Sequence, residues 1–228
     1  MNKRIIVAID FSNINKAIDL VNNLKKEVYA FKIGHEFFYN FGLEGYQKIY
    51  KICPKIFLDL KLHDIPNTVE KGLNALLKLK PTFTTIHISG GDDMQKLSVL
   101  KNNKTIILGV TVLTSLDKKQ TLKYYKEKNV KNLVAKFAKF AKKNKLNGLV
   151  CSPHEIKIVR KEVGKKMILV VPGIRPKEIL HKKVDDQKRT LTPKEAIELG
   201  ADYLVIGRPI TQSKNPLQTI KEINKSIQ

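Results

Sequence analysis

Short β-branched runs alternate with longer amphipathic stretches from one end of the sequence to the other, and that alternation restricts the chain to a parallel α/β architecture. Strands are predicted at 4–10, 28–33, 55–61, 83–88, 105–112, 148–151, 167–171 and 203–206. Between them apolar residues recur at helical spacing: Ala17, Ile18, Val21 and Leu24 within 14–25, and Leu133, Val134, Phe137, Ala138 and Ala141 within 130–143. A last helix over 217–227 follows the eighth strand. Eight strand–helix units in 228 residues predict a (β/α)8 barrel of the TIM type, with 1–228 forming one domain. An open doubly wound sheet is the alternative. It is disfavoured because no Gly-x-Gly-x-x-Gly follows the first strand.

Composition removes several classes of function. With 42% apolar and 28% charged residues the chain is expected to fold rather than stay disordered. Its apolar runs, such as 167–171, fall far short of the ~18 residues of a membrane span. The short apolar run after Arg4 is too brief for a secretory signal. Cys53 and Cys151 form no Cys-x-x-Cys and no disulfide framework, so a reducing, cytoplasmic setting is expected. The net charge of +22 comes from 43 basic residues of which only 5 are arginine, and the lysines are scattered along the chain, most densely over 131–145. That scatter reads as a solvated surface with a general pull on anionic ligands, not as a specific nucleic-acid reader. A barrel that binds RNA is the rival from another class, and a steep salt dependence without turnover would mark it.

In barrels of this kind chemistry sits where strands end and βα loops begin. Polar residues fall there in succession: Asp10 ends strand one, Lys32 strand two, Asp59 and Lys61 strand three, and His87 strand four. Thr111 and Thr114 follow strand five, Arg175 strand seven and Arg208 strand eight. The third of these segments, Phe57-Leu58-Asp59-Leu60-Lys61-Leu62-His63-Asp64-Ile65-Pro66-Asn67-Thr68, is the most informative. Side chains alternate along a strand, so Asp59 and Lys61 should share the face toward the barrel mouth while Leu58, Leu60 and Leu62 pack on helices. A lone Asp-x-Lys is most simply a structural ion pair. A second acid, Asp64, in the following loop changes the balance, because two carboxylates hold an amine protonated and in place, as a cationic proton donor requires.

The string Asp59-x-Lys61-x-x-Asp64 followed by Ile65-Pro66-Asn67-Thr68 resembles the signature of the orotidine 5′-phosphate decarboxylase family. The resemblance extends in order through Asp10-Phe11, Phe31-Lys32-Ile33-Gly34, Thr114-Ser115, Pro172-Gly173-Ile174-Arg175, Asp185-Asp186-Gln187 and Gly207-Arg208-Pro209. It implies cofactor-free loss of CO2 from orotidine monophosphate to give uridine monophosphate in pyrimidine biosynthesis, with no metal. Lys61 is implied as the ammonium that stabilises charge at C6 and delivers a proton, and Asp59 as the group against the departing carboxylate. Asp64, with Ile65 and Thr68, is implied to reach into a neighbouring subunit's site. That would complete an Asp-Lys-Asp-Lys array with Lys32 and make a homodimer obligatory. Asp10 and Lys32 would hold ribose hydroxyls, and Thr114 would meet the pyrimidine edge. The loops after strands seven and eight are a common phosphate cradle in barrels. There Gly207 permits close backbone approach, Arg208 offers a fork of donors, Gln187 would reach across as part of a lid, and Arg175 roots that loop.

Other polar residues take blander readings. His63 and His87 lack any metal-ligand spacing and read as hydrogen-bonding residues. The two cysteines read as packed thiols, and Phe137 and Phe140 as core. Sugar-phosphate decarboxylases and hexulose-phosphate synthases share Asp-x-Lys-x-x-Asp but work on an enediolate held by Mg²⁺. Their strand two ends in a metal-binding acid where this chain has Lys32, a cation that would repel the metal.

Overall fold

The computed structural model describes residues 3–97, 104–176 and 191–228. Strands β1 (Ile5–Ala8), β2 (Ala30–Ile33), β3 (Ile56–Leu62), β4 (Phe83–His87), β5 (Ile106–Val110), β6 (Gly148–Val150), β7 (Ile168–Val171) and β8 (Tyr203–Ile206) pair in chain order. β8 returns to β1 through Ile5–Leu204 and Val7–Ile206, and the parallel sheet closes into the expected (β/α)8 barrel. Around it run α1 (Ile14–Leu24), α2 (His35–Ile52), α3 (Pro66–Leu77), α4 (Gly91–Lys96), α5 (Lys118–Tyr125), α6 (Val130–Lys143), α7 (Ile156–Val163), α8 (Pro193–Glu198), α9 (Arg208–Thr211) and α10 (Pro216–Ser226).

Local chemistry sets many of these boundaries. The Asn13 side chain accepts from the Asn15 and Lys16 amides and starts α1. Pro66, with no amide proton to satisfy, opens α3. Thr192 and Glu195 form a capping box at α8. Most strands are shorter than their apolar runs suggest, because the outer residues leave the ladder to enter loops. Ile9 and Asp10 lie past the end of β1, although the Ile9 amide still donates to the Lys32 carbonyl at 3.0 Å.

Apolar side chains form two shells. The outer one packs the sheet against the helices and includes Ile5, Val7, Phe31, Ile33, Leu58 and Ile86. The inner one fills the lumen with Ile6, Ala8, Ala30, Phe57, Phe83, Leu108, Val170 and Val205. At the floor, Tyr29 and Tyr203 meet Phe83 and each other in tilted and edge-on contacts, with ring centroids 4.4–5.9 Å apart. Two residues beyond a lumen residue comes the next side chain on the same face. The step runs from Ala8 to Asp10, Ala30 to Lys32, Phe57 to Asp59 and Phe83 to Thr85, so the polar site is built on an apolar floor.

β3 departs from simple alternation. Leu58 pairs with Thr84 and Leu62 with Ile86, so β3 carries two more residues than β4 over that interval. Lys61 takes up the excess in the left-handed region, at φ 50°, a sparsely populated conformation for a residue with a side chain. Because the excess is an even number, Leu58, Leu60 and Leu62 all still pack with the outer shell.

Candidate active site

Four charged side chains meet at the C-terminal ends of β1, β2 and β3. Lys61 Nζ lies 2.8 Å from Asp59 Oδ2, Lys32 Nζ lies 3.8 Å from the same oxygen, and Lys32 Nζ also reaches Asp10 Oδ1 at 3.4 Å. The order in space is Asp10, Lys32, Asp59, Lys61. Asp59 is buried and Lys32 largely so, whereas Lys61 keeps 30% of its side chain exposed. Burial works to raise the Asp59 pKa, but the Lys32 and Lys61 ammoniums, the Lys61 hydrogen bond and the Thr85 hydroxyl outweigh it and hold the carboxyl below its ordinary range. The result is an ionised acid that clamps a cation at a partly desolvated rim.

Two further residues shape this cluster: Thr85, which the sequence did not single out, and Gly34, which the sequence named only within a string and gave no role. Thr85, on β4, donates its hydroxyl to Asp59 Oδ1 at 2.9 Å and accepts the Lys61 amide at 2.9 Å. Gly34 follows β2 where a Cβ would stand 2.8 Å from Lys32 Nζ and 3.0 Å from Asp10 Oδ1, so any side chain there would push that pair apart. The signal for Gly34 was present in the Lys32-Ile33-Gly34 string. The signal for Thr85 was its position two residues past inward-facing Phe83, readable only once β3 and β4 are in register.

His87 ends β4 and stacks on His63 with ring centroids 5.0 Å apart. Burial, then the neighbouring His63 and Lys61, lower the His87 pKa to about 4, against a smaller opposing pull from Asp59. Its unfolded-state value of 6.5 is the higher one, so the unfolded chain binds the extra proton first. Stability from neutral His87 is therefore fully present above pH 6.5 and drains away as pH falls toward 4. Asp59 acts with the same sign, but below its ordinary carboxylate range. Urea midpoints at pH 7 and pH 5 test this: His87→Gln should lose less stability across that interval than the parent chain. An identical loss in both would show that His87 does not supply the dependence.

The remaining expected residues divide into three groups. Asp64, Ile65 and Thr68 are exposed, and among the described residues Asp64 pairs with no lysine; its Oδ1 accepts the Ile65 amide at 2.7 Å. One chain alone therefore does not bring Asp64 to the Asp59–Lys61 pair. Thr114 is exposed in a turn after β5. Arg175 is buried after β7, donating from Nη1 to the Ile174 carbonyl, while its amide bonds to Leu191 across a one-residue bridge. Gly207 follows β8 beside Ala8, and exposed Arg208 opens α9 at the same rim. Gln187 lies outside the described residues. Cys53 and Cys151 are both buried and free, and burial pushes the Cys151 thiol far above its usual range. Among the described residues no group of three or more His, Cys, Asp or Glu is placed to hold a metal, and no helix is long and apolar enough to cross a membrane.

Residues 3–223 match the model of the Orotidine 5′-phosphate decarboxylase / HUMPS family. The chain is 46% identical over 225 residues to the orotidine 5′-phosphate decarboxylase of Wolbachia sp. subsp. Brugia malayi (strain TRS), covering 98% of each. It is 40% identical to the one of that name from Pseudoalteromonas translucida (strain TAC 125), over 100% of this chain and 98% of the relative. Among solved structures, orotidine 5′-phosphate decarboxylase from Lactobacillus acidophilus superposes with a TM-score of 0.82 at 34% identity, covering 99% of each chain.

Proposed function

The chain belongs to the orotidine 5′-phosphate decarboxylase / HUMPS family and is an enzyme of the carboxy-lyase class, and from that premise we propose how its residues convert orotidine 5′-phosphate to uridine 5′-phosphate. The observation that carries the reading is the Lys61 ammonium 2.8 Å from a buried, ionised Asp59 at the barrel rim. The bond from C6 to the carboxylate breaks, CO2 leaves, and the electron pair stays on C6. Lys61 Nζ stabilises that pair electrostatically and passes one proton to C6, becoming a neutral amine that regains its proton from water. Asp59 lies against the departing carboxylate, where like-charge crowding is relieved as CO2 departs; this contributes less than the ammonium does.

Around this step Asp10 and Lys32 hold the ribose hydroxyls, and Thr114 meets the pyrimidine edge. Gly207 and Arg208 take the phosphate, with Gln187 reaching over from the loop that Arg175 roots. The reaction uses no cofactor and belongs to cytoplasmic pyrimidine synthesis, with residues 1–228 acting as one catalytic domain. The sugar-phosphate relatives that work through Mg²⁺ are the second reading. Lys32, between Asp10 and Asp59, puts a cation where those enzymes need an acid. Loss of orotidine 5′-phosphate absorbance with purified protein in EDTA, with uridine 5′-phosphate as product, is the deciding test. No turnover overturns the reading, and a strict need for Mg²⁺ transfers it to the relatives.

The exposed Asp64 and the 65%-exposed Ile65 beside it suit a loop that completes a second copy's site in a homodimer. Mixing Lys61→Ala and Asp64→Ala chains should then restore activity, because each heterodimer holds one site with both residues intact. Random exchange of equal amounts gives about a quarter of the parent rate. No recovery after demonstrated exchange would assign Asp64 to its own chain.

A further inference from the structure

We propose that Thr85 is a positioning residue for the reaction: its hydroxyl fixes both the orientation of the Asp59 carboxylate and the backbone that carries Lys61. The inference rests on the reading that Asp59 and Lys61 perform the chemistry. It starts from where β3 and β4 lose register. Between the Leu58–Thr84 and Leu62–Ile86 pairs the regular ladder is interrupted, and the backbone groups of the extra residues need other partners. Two threonines of β4 supply them. Thr84 Oγ1 donates to the Leu58 carbonyl at 2.9 Å on the outer face, and Thr85 Oγ1 accepts the Lys61 amide on the inner face.

The proton count on Thr85 then has one solution. A hydroxyl carries a single hydrogen. Because Oγ1 already accepts from the Lys61 amide, that hydrogen goes to Asp59 Oδ1, 2.9 Å away. Asp59 Oδ1 accepts it, and that donation adds to the two ammoniums in favouring the ionised carboxylate. With Oδ1 held by this neutral donor, Oδ2 is the oxygen left to both lysines, 2.8 Å from Lys61 and 3.8 Å from Lys32. One fully buried side chain thus ties together the backbone of the residue in left-handed conformation, the acid, and the choice of oxygen facing the ammoniums. Neither the alternation of β3 nor the ion pair itself would hold the Lys61 backbone at φ 50° once the hydroxyl is gone.

Serine and alanine at this position differ by the hydroxyl alone, so they separate this role from packing. Turnover by the parent chain is measured first, and its absence would fail the decarboxylase reading. In a parent chain that turns over, Thr85→Ala should lower kcat about 10- to 100-fold, the factor associated with a hydrogen bond to a charged group. KM for orotidine 5′-phosphate should stay within about threefold, because Thr85 touches the acid and the Lys61 backbone and not the ribose or phosphate positions. The acid-side fall of kcat should move up by about one pH unit, because Asp59 loses a donor that favours its ionised form. Thr85→Ser should restore kcat to within about threefold and return the pH profile. A purely structural threonine would lower the melting temperature of Thr85→Ala and leave the acid limb in place. An alanine variant with parental kcat and pH profile, or a serine variant as impaired as alanine, would overturn the assignment. Thr85→Val, which keeps the shape and drops the hydroxyl, gives the same readout if the alanine variant does not fold.

Discussion

Lys61→Ala should lower kcat for orotidine 5′-phosphate by at least about 10⁴-fold while uridine 5′-phosphate still binds. The size follows from two roles on one nitrogen. Positioned proton transfer contributes roughly 10²–10⁴-fold, and a preorganised donor at a developing charge roughly 10²–10³-fold. Alanine removes both. It also leaves Asp59 buried with Lys32 at 3.8 Å as the remaining cation beside it, so the acid becomes easier to protonate and orients less firmly. Steady-state rates, paired with calorimetric binding of the product, separate loss of chemistry from loss of the nucleotide site. A variant that keeps turnover within about 100-fold of the parent would remove Lys61 from the central role.

Phe83→Ala should cost about 3–5 kcal/mol of stability, the range for truncating a buried aromatic residue. Phe83 is fully buried in the lumen and in ring contact with Tyr29, Phe57 and Tyr203. Phe57 and Tyr203 sit on other strands of a closed sheet and Tyr29 just before a third, so they are poorly placed to collapse into the gap. In a domain of this size the melting temperature should fall by roughly 10 °C. Urea unfolding at neutral pH measures the loss directly, and a change below about 1 kcal/mol would mean that the floor repacks around the hole.

Much of this was legible in the sequence, for identifiable reasons. The strands announced themselves because both faces of a parallel barrel strand are covered, which concentrates β-branched residues in short runs such as 5–8 and 168–171. α1 and α6 were readable because one face of each packs on the sheet, as with Val21 and Val134. The rim positions of Asp10, Lys32, Asp59 and Lys61 followed from where those strands stop. What stayed hidden depends on register between distant segments. The bond from the Lys61 amide to Thr85 spans 24 residues, and no periodicity within either strand announces it. The left-handed backbone of Lys61 arises from an insertion relative to β4 that is visible only when the two strands lie side by side. The place of Asp64 was equally closed to reasoning on one chain, since its side chain points to no charged partner within that chain among the described residues.

The aromatic floor of the lumen has a consequence for traffic. Among the described residues Tyr29, Phe83 and Tyr203 plug one end of the cylinder, and the ammonium groups of Lys32 and Lys61 stand toward the other. If the proposed reaction runs at that end, nucleotide and CO2 pass the same two ammonium groups, so whatever crowds them slows entry and exit together.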